Sequence, residues 1–153
     1  MGSSPTPKEI LEHAIRMEQR GREFYVQAAQ IVTMPGAREL LEELGRDEIE
    51  HEAMFNDLQA RGDFESLAIG ELPPDLRLSD FLVTAPIGPE STPQDVLIHA
   101  IRMEQNAIDL YSAWVLLYRG SEIEPLIEGL VVEERRHKAR LEAVYSDQFL
   151  EDW

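Results

Sequence analysis

The sequence predicts an all-α protein, a four-helix bundle of two antiparallel helix hairpins joined by a long crossover. Three observations carry this. Four long stretches repeat apolar residues at the spacing of one helix face. Two capping signals, Thr6-Pro7-Lys8-Glu9 and Thr92-Pro93-Gln94-Asp95, stand before the first and third stretches. The heptapeptide His13-Ala14-Ile15-Arg16-Met17-Glu18-Gln19 returns letter for letter as His99-Ala100-Ile101-Arg102-Met103-Glu104-Gln105, an offset of 86 residues. The same offset carries Tyr25 onto Tyr111, Glu48 onto Glu134 and His51 onto His137.

The first helix is expected from about Pro7 to Val32 and the second from Pro35 to just before Gly62. The third should run from Pro93 to about Arg119 and the fourth from about Glu122 to Tyr145. Thr33-Met34 and Gly120-Ser121 are short turns, and short turns make antiparallel neighbours. Between the hairpins, Gly62 to Ser91 holds Pro73, Pro74, Pro86 and Pro89 and reads as the crossover, with a short helix expected near Ser79 to Val83. The expected organisation is one domain over residues 1–153: hairpin about 7–61, crossover 62–92, hairpin about 93–146, tail 147–153.

A chain of 153 residues can bury a full core. Its formal net charge of -16 repels nucleic acid and anionic membranes and attracts metal cations. No apolar run approaches the ~18 residues of a membrane span, and no signal peptide is visible. The cytoplasm is therefore the default compartment. Cysteine is absent, which removes disulfides, thiolate metal sites and thiol catalysis.

Heptad position separates the chemical residues from the solvating ones. Glu18 falls on the apolar line of Leu11, Tyr25 and Val32, and Glu104 on that of Leu97, Tyr111 and Tyr118. Glu48 lies between Leu41 and Phe55, and His51 between Leu44 and Leu58. Glu134 lies between Ile127 and Leu141, and His137 between Leu130 and Val144. At 1.5 Å rise per residue, Glu18 and Glu48 both sit roughly 20 Å from the turn joining their helices, and Glu104 and Glu134 repeat this. All six side chains should meet at mid-bundle. Buried ions without compensation cost several kcal/mol each. Two divalent cations would cancel the four carboxylates, with the imidazoles completing the coordination. Oxygen-rich ligation with one His per metal suits Fe or Mn better than structural Zn.

Other residues carry weaker signals. His13 and His99 map away from the ligand face and are expected at the surface or a subunit contact. Glu23 and Asp109 also map outward. Asp47 and Glu133, one turn before His51 and His137, either accept the outer imidazole N–H or form flanking salt bridges. Tyr25 and Tyr111, two turns after the lone ligand Glu, either pack in the core or act beside the metals by hydrogen bonding or redox chemistry. Gly21 and Ala107 are small and would leave room for an oxygen-derived ligand.

Glu18, Glu48-Ile49-Glu50-His51, Glu104 and Glu134-Arg135-Arg136-His137 together resemble the rubrerythrin branch of the ferritin-like superfamily, over about Pro7 to Tyr145. The resemblance implies a non-haem centre of two Fe ions, with Mn or adventitious Zn as alternatives. It implies reaction with hydrogen peroxide or dioxygen, using electrons from an external redox protein. Glu48 and Glu134 would bridge the metals, Glu18 and Glu104 would bind terminally, and His51 and His137 would bind one metal each. Two departures stand out. The family archetype carries a rubredoxin-like iron held by four cysteines, and these 153 residues hold none. Ala107 stands where the archetype has a further ligand Glu, leaving a symmetric six-residue set. A ferroxidase or iron-storage role is the alternative, and metals serving only stability or partner binding a third. A homodimer or higher homo-oligomer is expected from the resemblance and from Phe64, Phe81, Phe149 and Trp153.

Overall fold

A computed structural model describes residues 4–81 and 87–150. Its elements are α1 (Pro7–Ile31), α2 (Pro35–Ala60), a single-turn 3-10 helix (Leu78–Phe81), α3 (Pro93–Leu117) and α4 (Glu124–Phe149). The two predicted caps form as reciprocal pairs. Glu9 N–H donates to Thr6 Oγ1 at 3.1 Å, and Thr6 N–H to Glu9 Oε1 at 3.0 Å. Thr92 and Asp95 repeat the exchange at 3.1 and 3.3 Å. Four backbone donors at two helix starts are thereby satisfied. Both α2 and α4 instead begin on a proline in the first turn, without a side-chain cap.

α1 packs along α2 and α3 along α4, and α1 lies against α3 across the bundle. Arg140 of α4 reaches Glu43 of α2 with two hydrogen bonds of 3.1 and 2.7 Å. Apolar side chains form two cores. One joins Ile10 and Leu11 of α1, Phe55 of α2, Trp114 of α3 and Ile127 of α4. The other joins Tyr25, Leu41, Leu44, Leu97 and Leu141. The polar residues of the sequence repeat lie between them.

Several boundaries differ from expectation. α3 stops at Leu117, and the turn to α4 spans residues 118–123 where a two-residue turn was predicted. Gly120 there has φ +87°, a left-handed conformation that glycine adopts without a Cβ clash. The Ser121 hydroxyl donates to the Tyr118 carbonyl at 2.6 Å, closing the turn. α4 runs on to Phe149, so residues 147–149 of the predicted tail are helix. Tyr145 and Phe149, one turn apart with ring centroids 5.3 Å from each other, pack on the second core and hold that extension. The short crossover helix is one turn ending at Phe81; the rest of its predicted span, with residues 82 and 83, lies outside the described residues.

The crossover is seated by its aromatics. Phe64 and Phe81 are buried inside the chain, so they offer no face for subunit contact. Phe64 stacks on Tyr118, whose hydroxyl donates to the Phe64 carbonyl at 3.1 Å. Phe149 is half-buried against its own bundle, and Trp153 lies outside the described residues. Among the described residues, no helix is long and apolar enough to cross a membrane.

Gly70 fixes how closely the crossover approaches α3. Its N–H donates to the Leu117 carbonyl at 2.9 Å, and a Cβ there would stand 1.8 Å from the Leu116 carbonyl oxygen. Gly70→Ala should therefore lower stability by about 1–3 kcal/mol, the usual cost of a forced backbone shift. Gly62→Ala meets nothing within 4 Å and should change stability little. Denaturant melts of the two variants test the contrast; equal losses would contradict the close approach.

Candidate metal centre

The six repeated polar residues are buried: Glu18, Glu104 and His51 are 2% exposed, Glu134 1%, His137 3% and Glu48 7%. Each sits where its heptad line places it, with apolar neighbours one heptad away. Two close sets form around Glu134. Glu18, His51 and Glu134 offer donor atoms within 4.8 Å of one another, and so do Glu104, His137 and Glu134. His51 Nδ1 lies 3.4 Å from Glu18 and 3.2 Å from Glu134. His137 Nδ1 lies 3.7 Å from Glu104 and 3.9 Å from Glu134. The imidazole rings run side by side, with centroids 6.3 Å apart and planes 24° from parallel.

Glu48 departs from the predicted convergence. It belongs to neither close set, and its carboxylate rests on Gly21, where an added Cβ would lie 3.0 Å from Glu48 Cδ. The space expected at Gly21 for an oxygen-derived ligand is thus filled by Glu48. The Glu48 side chain still borders the same cavity as Glu18, Glu104 and Glu134.

Contacts around the site are crossed between the repeats. Tyr25 of α1 donates to Glu104 Oε1 of α3 at 2.6 Å, and Tyr111 of α3 donates to Glu18 Oε1 of α1. Burial first, then the neighbouring carboxylates, push both phenols well above their usual pKa, so both keep their protons and act as donors. The outer imidazole nitrogens face acids from the opposite hairpin. His137 Nε2 lies 2.9 Å from Asp47, and His51 Nε2 lies 3.1 Å from Glu133. Sequence spacing put Asp47 and Glu133 beside the histidines of their own helices; Glu133 does lie 3.7 Å from His137 of its own helix, but the close approach of α2 and α4 brings each acid nearer to the opposite histidine.

Inward-facing atoms are left over. Glu18 Oε2, Glu104 Oε2, Glu134 Oε1, His51 Nδ1 and His137 Nδ1 are buried with no hydrogen-bond partner among the described residues. Buried polar atoms are normally satisfied, and orphans indicate a missing ligand. Carboxylate and imidazole donors in this number fit divalent Fe or Mn. These buried Glu and His groups could hold metal ions.

Without a cation, protons must do the neutralising. Burial pushes Glu18 up to about 7 and Glu104 well above the usual carboxylate range. Burial would also raise Glu134, but Glu104, His137 and His51 around it more than offset that and hold it below the carboxylate range. Burial opposes charge on the imidazoles, yet Glu134 and Glu18 bring His51 up to about 12, and Glu104 and Glu134 bring His137 up to about 10.

One histidine was misplaced by the sequence. His13 is 3% exposed and not at the surface, while its repeat His99 is half-buried. Burial, then Arg16 and Arg20, lower the His13 pKa. It borders the cavity together with Phe81 of the crossover. No helical period predicts that neighbour. Glu23 and Asp109 are exposed, as expected.

These shifts predict a pH dependence for the chelated protein. Groups raised on folding stabilise the fold at low pH and lose that contribution as pH rises. For Glu18 the loss spans 4.5 to about 7. For His137 it spans 6.5 to about 10, and for His51 6.5 to about 12. The opposing Glu134 contribution is lost only as pH falls below 4.5. Thermal melts in chelator should therefore decline from pH 5 upward. With excess Mn²⁺ the trend should reverse, because ligating imidazoles must release protons. A chelated protein that gains stability between neutral and alkaline pH would contradict this picture.

Comparison with known proteins bears on the first hairpin and on the fold. Residues 9–69 match the Rubrerythrin family model. The whole bundle is similar to a solved structure of a hypothetical protein from Pyrococcus furiosus, with 24% identity, a TM-score of 0.67 and coverage of 92% of this chain and 89% of that one. That likeness is one of fold. No curated protein matches the sequence. The matched segment holds Glu18, Glu48 and His51, and the internal repeat returns all three in the second hairpin; the first hairpin is similar to the Rubrerythrin family, and the chain is a four-helix bundle with a buried cluster of carboxylates and histidines.

Proposed function

We propose that the protein is a non-haem diiron oxidoreductase that reduces hydrogen peroxide or dioxygen with electrons from an external redox protein. The observation that carries this reading is the set of unpartnered inward atoms from both hairpins around Glu134, at the floor of a cavity. Glu18 with His51, and Glu104 with His137, would each hold one iron, with Glu134 shared between them and Glu48, which borders the same cavity, as a further carboxylate ligand. Two irons so held would supply the two electrons that cleavage of peroxide requires. A homodimer is proposed as the working assembly, on family resemblance alone.

The chain's own groups set the conditions for that chemistry. Tyr25 and Tyr111 hold one oxygen each of Glu104 and Glu18, leaving the other oxygen facing inward. Asp47 and Glu133 stand at the outer imidazole nitrogens, which keeps the Nδ1 atoms turned to the centre. The two apolar cores exclude water above and below. The cavity bordered by Glu18, Glu48, Glu104 and Glu134 gives a small oxidant its path. The net charge of -16 attracts Fe²⁺, which favours iron handling as the second reading.

Stopped-flow mixing of the anaerobic ferrous protein with peroxide tests the proposal. Oxidation should outpace that of free Fe²⁺ by about tenfold or more, a 1.4 kcal/mol lower barrier. The Glu48→Ala/Glu134→Ala variant should lose the advantage. Oxidation no faster than free Fe²⁺ would refute the peroxide reading. A large closed shell in solution, loading many irons per chain, would favour storage instead.

A further inference from the structure

The cavity over the carboxylates is larger than its oxidant needs. Its volume is about 240 Å³, and a single water occupies roughly 10–15 Å³ on this measure. Peroxide or dioxygen would fill a small part of it. Part of the remaining wall is apolar: Met17 and Phe24 from α1, Phe81 from the crossover and Met103 from α3. An apolar chamber serves a small oxidant no better than a narrow channel would.

The exposed rim of the chamber carries two cations, Arg16 and Arg20, beside Glu23 and Gln27. His13, Arg16 and Arg20 border it as one stripe of α1, at i, i+3 and i+7. In a chain with 14 basic and 30 acidic residues, basic side chains have acids in excess. Neither Arg16 nor Arg20 forms an ion pair or side-chain hydrogen bond among the described residues, a state they share with Arg46, Arg77, Arg102, Arg119, Arg135 and Arg136, so both guanidinium groups are free to meet a ligand. Glu23 borders the same cavity without pairing to either arginine. Like charges at i and i+4 are mildly unfavourable on a helix. His13 Nε2 is buried with no partner among the described residues, a cost that a bound acceptor would remove.

The repeat adds an independent point. Arg16 returns as Arg102, but Arg20 returns as Asn106. The cationic pair is therefore private to the first half, whereas the metal-ligating plan is common to both. The duplicated frame does not require it.

We propose that this cavity binds a small organic carboxylate, with Arg16, Arg20 and His13 taking its anionic head and Met17, Phe24, Phe81 and Met103 its apolar body. A single charge is favoured over a dianion because the chamber floor holds four carboxyl groups. Such a molecule would sit between solvent and the centre, as a co-substrate or an occupant that gates access. The binding site stands apart from the peroxide reading, since its readout requires no turnover.

Calorimetric titration of the purified full chain with hexanoate, acetate and hexanol tests this. Hexanoate should bind saturably at one site per chain, at least about tenfold more tightly than acetate or hexanol. Arg16→Gln/Arg20→Gln, at exposed positions, should weaken hexanoate by about tenfold and leave hexanol unchanged. Hexanoate binding no tighter than acetate would overturn the proposal, because the head alone, on the metals or elsewhere, would then account for it. Undiminished hexanoate binding by the double variant would overturn it too. Slow peroxide oxidation with intact hexanoate binding would instead fault the proposed reaction and spare the site.

Discussion

Burying four carboxyl groups and two imidazoles across the middle of an apolar bundle is the constraint on which the other features depend. Glu134 carries most of it. It is 1% exposed, lies within 4 Å of both histidines, and belongs to both close sets of donor atoms. A charge so deep would be untenable without compensation. The protein by itself compensates with protons, on Glu104 and on the two imidazoles. A cation held there would replace those protons with a stronger and more localised positive charge, and would couple folding, pH and metal loading in one cluster.

Crossed contacts turn two similar hairpins into one unit. Tyr25 and Tyr111 each reach the glutamate of the opposite repeat, and Asp47 and Glu133 each reach the opposite histidine. Neither hairpin thus completes its own half of the site. Among the groups around the carboxylates, the symmetry breaks at Gly21 and Ala107. Gly21 has no Cβ and receives the Glu48 carboxylate, while Ala107 bears a methyl group and Glu134 stands at the centre. The same asymmetric side carries the cavity and the Arg16 and Arg20 pair.

The four helices and the burial of all six polar residues were legible because both rest on periods. A glutamate seven residues from Leu11 and from Tyr25 must share their face, whatever its charge. Caps were legible from Thr-Pro and an acid three residues on. What failed lacks a period. His13 lies off the ligand line, and Phe81, from an irregular crossover, lies beside the same cavity. Phe64 and Phe81 looked like contact aromatics because nothing local shows that the crossover folds back on Trp114 and Tyr118. Glu48 shared the heptad position and the Glu-x-x-His spacing of Glu134, yet its carboxylate rests in the space left by the missing Cβ of Gly21, where the other half has Ala107. The reach of Asp47 and Glu133 to the opposite histidines depends on the approach of α2 to α4, a distance no linear spacing contains.

Metal stoichiometry tests the central claim most directly. Anaerobic titration of the chelator-treated protein with Fe²⁺ or Mn²⁺, followed by calorimetry and by elemental analysis after desalting, counts tightly held ions. Two per chain, with Glu134→Gln disturbing both, is the result the account predicts. No tight binding, or full binding in the absence of the Glu134 charge, would contradict it.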